Sequence, residues 1–162
     1  CENKMAPSVY IEATIIGYLA SRLSRNLLTA AHQQLTQEWW ETRRRCFDLY
    51  LSELVMNEAG GGDPNEAQRR LAAVEGIPLL ELTEPCRGLA RSLLAKHAVP
   101  KEAPVDALHI AVSAVHGMDY LLTWNCAHIA NARRRDGIQE VCREQGYEPP
   151  VICTPEELME EG

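Results

Sequence analysis

Tyr120-Leu121-Leu122-Thr123 decides the fold, because it is the clearest buried strand in the chain and a helix delivers it. The stretch from Val105 to His116 turns Leu108, Ala111, Val112 and Val115 to one side, and Gly117 ends it. Four apolar-rich residues bounded by turn signals are too few for a helix and suit a core strand. The same alternation of helix and strand repeats toward both ends.

Upstream, Val9-Tyr10-Ile11 is a short β-rich run, entered through Pro7 and closed by Glu12. Helical spacing predicts a helix over Thr14 to Arg22 and a longer one from about Asn26 to Arg45, carrying Leu27, Leu28, Ala31, Leu35 and Trp39. Phe47 to Leu51 is the second strand. Ser52 then caps a helix through Glu58, and Gly60-Gly61-Gly62 ends it. Asp63-Pro64 starts another in the favoured cap-then-proline order, stopped by Gly76. Ile77 to Leu82 reads as a third strand, Glu84 to His97 as an amphipathic helix, and Pro100 to Pro104 as a loop. Downstream of Thr123, polar helices run to about Gly146, and Val151-Ile152-Cys153 is the last strand. Thr154-Pro155-Glu156-Glu157 predicts one more helix start. Strands joined through helices need crossover connections, so the expected fold is α/β: a three-layer α/β/α sandwich around a mainly parallel five-stranded sheet.

The composition fits one such domain. The chain has 162 residues, 46% hydrophobic and 24% charged, which are ordinary globular values. Its formal net charge of −7 excludes a basic protein that coats nucleic acid, and any nucleic-acid chemistry would lean on local groups and divalent cations. No apolar run approaches the ~20 residues of a membrane helix, and the polar start Cys1-Glu2-Asn3-Lys4 carries no signal peptide, so a soluble cytoplasmic protein is expected. Residues 1–7 are read as an N-terminal extension or cloning remnant, with Met5 a natural start, and residues 8–162 as a single domain. The cysteines at 1, 46, 86, 126, 142 and 153 form no C-x-x-C pair, and free thiols in a reducing compartment are expected.

In an open parallel sheet, ligands gather beyond the carboxyl ends of the strands. Polar residues fall there in this chain. Glu12 follows the first strand, Ser52, Glu53 and Glu58 the second, and Thr123, Asn125 and His128 the fourth, while Asp106 opens the helix leading to it. Hard oxygen ligands of this kind suit Mg²⁺ or Mn²⁺ better than zinc.

The patterns V-Y-I-E-A-T-I-I-G-Y-L, L-S-E-L-V-M-N-E-A, D-A-L-H-I-A and Y-L-L-T-W-N-C-A-H-I-A-N, in that order from Val9 to Asn131, resemble the blocks of PIN-domain proteins. They are most similar to the VapC-like toxins of bacterial toxin–antitoxin pairs. The resemblance implies a PIN-like sandwich, a Mg²⁺- or Mn²⁺-dependent endoribonuclease acting on RNA, and inhibition by a small antitoxin protein. It also implies that the early helices form a groove for that partner and part of a homodimer contact, which would account for Trp40. Carried over by position, the catalytic set is Glu12, Glu58, Asp106 and Asn125, with Glu12, Glu58 and Asp106 as metal ligands. Two positions depart from the pattern: glutamate stands at 12 where aspartate is usual, and Asn125 stands where a fourth acid is common. Thr14, Ser52, Glu53, Thr123, His128 and Arg133 are the expected supporting or substrate-contacting residues.

Each position also has an ordinary structural reading. Asp106 in a first helical turn is favoured by the macrodipole alone, and Asn125 suits a turn. Glu53 lies about 140° around a helix from Glu58, so the two are not expected to share an ion. His109, three residues after Asp106, is expected to pack or support rather than ligate. The triplets Arg43-Arg44-Arg45 and Arg133-Arg134-Arg135 lie near expected helix ends, where arginine complements the dipole, although the second is also placed to hold an RNA backbone. The departures at Glu12 and Asn125 motivate a second function: a catalytically weak PIN-like domain that binds protein or RNA. A DNA-directed nuclease using the same ions is the third.

Overall fold

The structure is a computed structural model that describes residues 5–159. The first four residues of the expected N-terminal extension lie outside the described residues. Five strands alternate with helices: β1 (Ser8–Ile11), α1 (Ala13–Ala20), α2 (Leu27–Thr42), β2 (Asp48–Ser52), α3 (Glu53–Ala59), α4 (Pro64–Ala73), β3 (Leu79–Leu80), α5 (Glu84–Ala95), α6 (Pro104–Val115), β4 (Tyr120–Leu122), α7 (Ala132–Glu144) and β5 (Val151–Cys153).

The strands form one sheet in the order β3-β2-β1-β4-β5, and every pairing is parallel. Right-handed crossovers place α1 to α4 on one face and α5 to α7 on the other. The packing agrees: α1 meets α2, α3 and α4, while α5 meets α6 and α7. The expected three-layer sandwich is therefore present, with a wholly parallel sheet. Val9, Tyr10, Ile11, Leu121 and Leu122 are fully buried between the layers. The order reverses direction at β1, whose neighbours are β2 on one side and β4 on the other. In open parallel sheets ligands gather at such a reversal, beyond the carboxyl ends of the strands, here those of β1 and β4.

Caps explain most helix starts. The side chains of Asn26, Ser52, Asp63 and Asn131 each accept a main-chain N–H in the first turn of α2, α3, α4 and α7. Gly76, at φ 83°, takes the left-handed conformation that follows α4.

Four expectations need correction. The third strand is confined to Leu79–Leu80 rather than Ile77–Leu82. It is an edge strand that begins after Pro78, which has no N–H to donate, and Leu79 is half exposed. No helix follows Thr154 among the described residues. Its N–H and hydroxyl do reach Glu157 Oε1 at 3.1 and 3.3 Å, so the cap forms over a turn that goes no further. The second arginine triplet lies in the first turns of α7, the positive end of the dipole, so dipole compensation does not explain it. Arg44 does follow the end of α2 and lies over the Trp40 ring at 4.2 Å. Finally, Cys86, Cys126, Cys142 and Cys153 are free as expected, but Cys46 is disulfide-bonded. Scatter along the sequence says nothing about separation in space.

No described helix is long and apolar enough to cross a membrane.

Candidate metal centre

Glu12 stands at this reversal, directly after β1. It caps α1 at the end of β1, and its main-chain N–H donates to Leu122 O in β4 at 3.1 Å. Ile11 pairs with Leu122, so the register brings Glu12 beside Thr123. The Glu12 side chain is only 3% exposed. Three donors converge on one of its oxygens, Oε2: Thr14 N–H at 3.0 Å, Thr123 Oγ1 at 2.8 Å and, by a short bond, Thr14 Oγ1. Thr14 Oγ1 in turn accepts Trp124 N–H at 2.8 Å, and Thr123 Oγ1 accepts Asn125 N–H at 2.9 Å. The two threonines therefore fasten the carboxylate through α1 and β4 together. They leave Oε1 with no hydrogen-bond partner among the described residues.

A second network comes from the other side. In the parallel register Tyr10 lies opposite Tyr50, so Ser52, two residues on, shares the face of Tyr10. Tyr10 Oη is 2.7 Å from Ser52 Oγ and 2.7 Å from Nδ1 of His109 on α6. His109 is fully buried, and its Nε2 is 2.5 Å from Glu58 Oε1 at the end of α3. Burial above all raises the Tyr10 hydroxyl far beyond its usual range; the Ser52 bond opposes this, and the carboxylates of Glu12 and Glu58 add to it. The phenol is thus a fixed neutral link between Ser52 and His109.

The two networks meet. Glu12, Glu58 and His109 each offer one ligand atom, and these atoms lie within 4.8 Å of one another, a group that could hold a metal ion. No lysine or arginine pairs with either carboxylate among the described residues; Glu58 pairs only with His109. Buried charges are ordinarily paired or bound to a metal. Two carboxylates and an imidazole at this spacing are a donor set that fits a divalent cation.

The other expected residues lie outside this group. Asp106 is not within it. Its Oδ2 is 2.8 Å from Nδ1 of His128, one helical turn before His109. His109, expected to support the site, is the residue of α6 whose ligand atom lies with those of Glu12 and Glu58. Asn125 accepts the His128 N–H on its Oδ1 at 3.0 Å, the turn role its residue type suggests. Ser52 is buried and caps α3, whereas Glu53 is exposed at the start of that helix and outside the group. Arg133 is exposed at the start of α7.

No protein-family model matches this chain, and no curated protein matches it either. The site therefore has to be read from its own chemistry.

Tyr10 is not singled out by the sequence, and His109, expected to pack or support, does bond Tyr10 and Glu58 while also joining the possible ligand group. The only available signal was the three-residue offset of His109 from Asp106, which puts both on one side of α6. Val9, Tyr10 and Ile11 are all buried, so no polar alternation marked Tyr10 out.

Proposed function

We propose that this protein is a PIN-like, VapC-like endoribonuclease that uses Mg²⁺ or Mn²⁺ held by the carboxylates of Glu12 and Glu58, with Asp106 as the third acid the resemblance implies. The observation that carries the proposal is the buried Glu12 carboxylate, without a cationic partner, facing a second carboxylate and an imidazole at the sheet's reversal point. When bound, a divalent ion supplies charge neutralisation at the phosphate and activates water for in-line attack. The chain's own residues do the rest. Thr14 and Thr123 hold Glu12 in place, and His128 Nδ1, 2.8 Å from Asp106 Oδ2, orients that carboxylate. Asn125 orients solvent through its amide nitrogen, its oxygen being committed to the turn. Arg133 draws the RNA backbone toward the site.

The exposed leucines 23, 27 and 28, between α1 and the first turn of α2, offer an apolar surface for the small antitoxin-like partner that the resemblance implies. The free thiols suit a reducing compartment such as the cytoplasm; the disulfide at Cys46 does not.

The test is cleavage of a mixed RNA pool with Mn²⁺, with Mg²⁺ and with chelator, by the wild type and by Asp106→Asn and Glu12→Gln. Metal-dependent cleavage lost in both folded variants supports the reading. Cleavage unchanged in either sinks that residue's assignment. The second reading, a binding module without turnover, is favoured by Asn125 standing where a fourth acid would complete the ligands. RNA retention without cleavage would select it.

A further inference from the structure

We infer that His109 binds the ion directly through Nε2, that Tyr10 positions it, and that this nitrogen ligand makes the site select Mn²⁺ over Mg²⁺. The inference rests on the metal-dependent reading above and deepens it. An all-carboxylate site offers only oxygen. Here the imidazole is fully buried, its Nε2 lies 2.5 Å from Glu58 Oε1, and the residue belongs to the same 4.8 Å group as the two carboxylates. Mg²⁺ holds oxygen ligands and sheds water reluctantly, whereas imidazole suits the first-row transition ions.

The hydrogen-bond chain can serve either state of the site. Ser52 Oγ accepts the Val55 N–H at 3.4 Å. With no ion, the Ser52 proton points to Tyr10, the Tyr10 proton to Nδ1, and Nε2–H to Glu58. With an ion, Nδ1 carries the proton and donates it to Tyr10, which donates to Ser52, and Nε2 presents its lone pair between Glu12 and Glu58. The imidazole keeps one proton throughout, moved from Nε2 to Nδ1. Only a group that both donates and accepts can serve both arrangements, and the Tyr10 hydroxyl does so from a fully buried position. An Nδ1 partner that fixes the tautomer is the usual support of a histidine ligand.

The experiment titrates Mn²⁺ and Mg²⁺ separately into the wild type, His109→Gln and Tyr10→Phe. Free Mn²⁺ is followed by electron paramagnetic resonance, and Mg²⁺ by competition with bound Mn²⁺. The wild type should bind Mn²⁺ more tightly than Mg²⁺. His109→Gln, which puts an amide oxygen near the Nε2 position, should bring the two affinities together. Tyr10→Phe should weaken Mn²⁺ about 10–100-fold and Mg²⁺ less. If both ions bind the wild type and the ratio is unchanged in both variants, His109 is a buried hydrogen-bonding residue and this inference fails alone. If neither ion binds the wild type, the metal-dependent reading fails with it. Should His109→Gln not fold, the nearly isosteric Tyr10→Phe decides.

Discussion

The Tyr10 hydroxyl lies 2.7 Å from His109 Nδ1 and the same distance from Ser52 Oγ, so one phenol inside the core joins the first strand, the cap of α3 and the middle of α6. Replacing it with phenylalanine keeps the ring and its packing but leaves two buried polar groups short of a partner. Tyr10→Phe should lower unfolding stability by about 1–3 kcal/mol in urea titrations, with the fold retained.

Glu12 should behave as a charge held in place for a ligand. Mn²⁺ at a hundred times its dissociation constant should stabilise the wild type by about 2.7 kcal/mol. Glu12→Gln should abolish that gain. Without metal the variant should melt no lower than the wild type, because it removes a buried negative charge that has no cationic partner. Thermal melts with and without Mn²⁺ check both halves.

The thiols give a pH-dependent outcome. Burial pushes Cys142 up to about 11 and Cys153 up to about 12, and raises Cys126 as well, helped by Glu157. These thiols keep their protons in the fold after the unfolded chain has lost them. The folded state thus binds more protons above the ordinary thiol range, and its stability should fall as pH rises from about 9 toward 11 and 12. At neutral pH, iodoacetamide should label exposed Cys126 first, more slowly than free cysteine, and leave Cys86, Cys142 and Cys153 unlabelled. Peptide mass mapping reads this directly.

Arg133 should separate stability from RNA affinity. It is a cation at the positive end of α7. Arg133→Glu should therefore raise stability by about 0.3–1 kcal/mol. If the residue holds backbone, the same change should weaken RNA binding and reduce the salt slope by about one. A filter-binding series over salt concentration measures the second effect.

Much of the fold was legible because its signals are local. Asp63-Pro64, Ser52 and Asn26 mark helix starts through bonds made within one turn, and each is found doing so. The edge strand was overextended because Ile77 and Leu82 are apolar without being paired, and pairing depends on what lies alongside. Glu12 and Glu58 were legible as candidates because both follow strand ends, where the sheet opens. That His109 joins their group and Asp106 does not depends on which way each side chain turns from α6. Asp106 turns to His128 and His109 to Tyr10, both non-local contacts.

The central place of β1 also governs when the site can exist during synthesis. Glu12 is among the first residues made, yet the hydroxyl that locks it belongs to Thr123, 111 positions later. A nascent chain still lacking β4 holds the Glu12 carboxylate by Thr14 alone, on a half-built sheet.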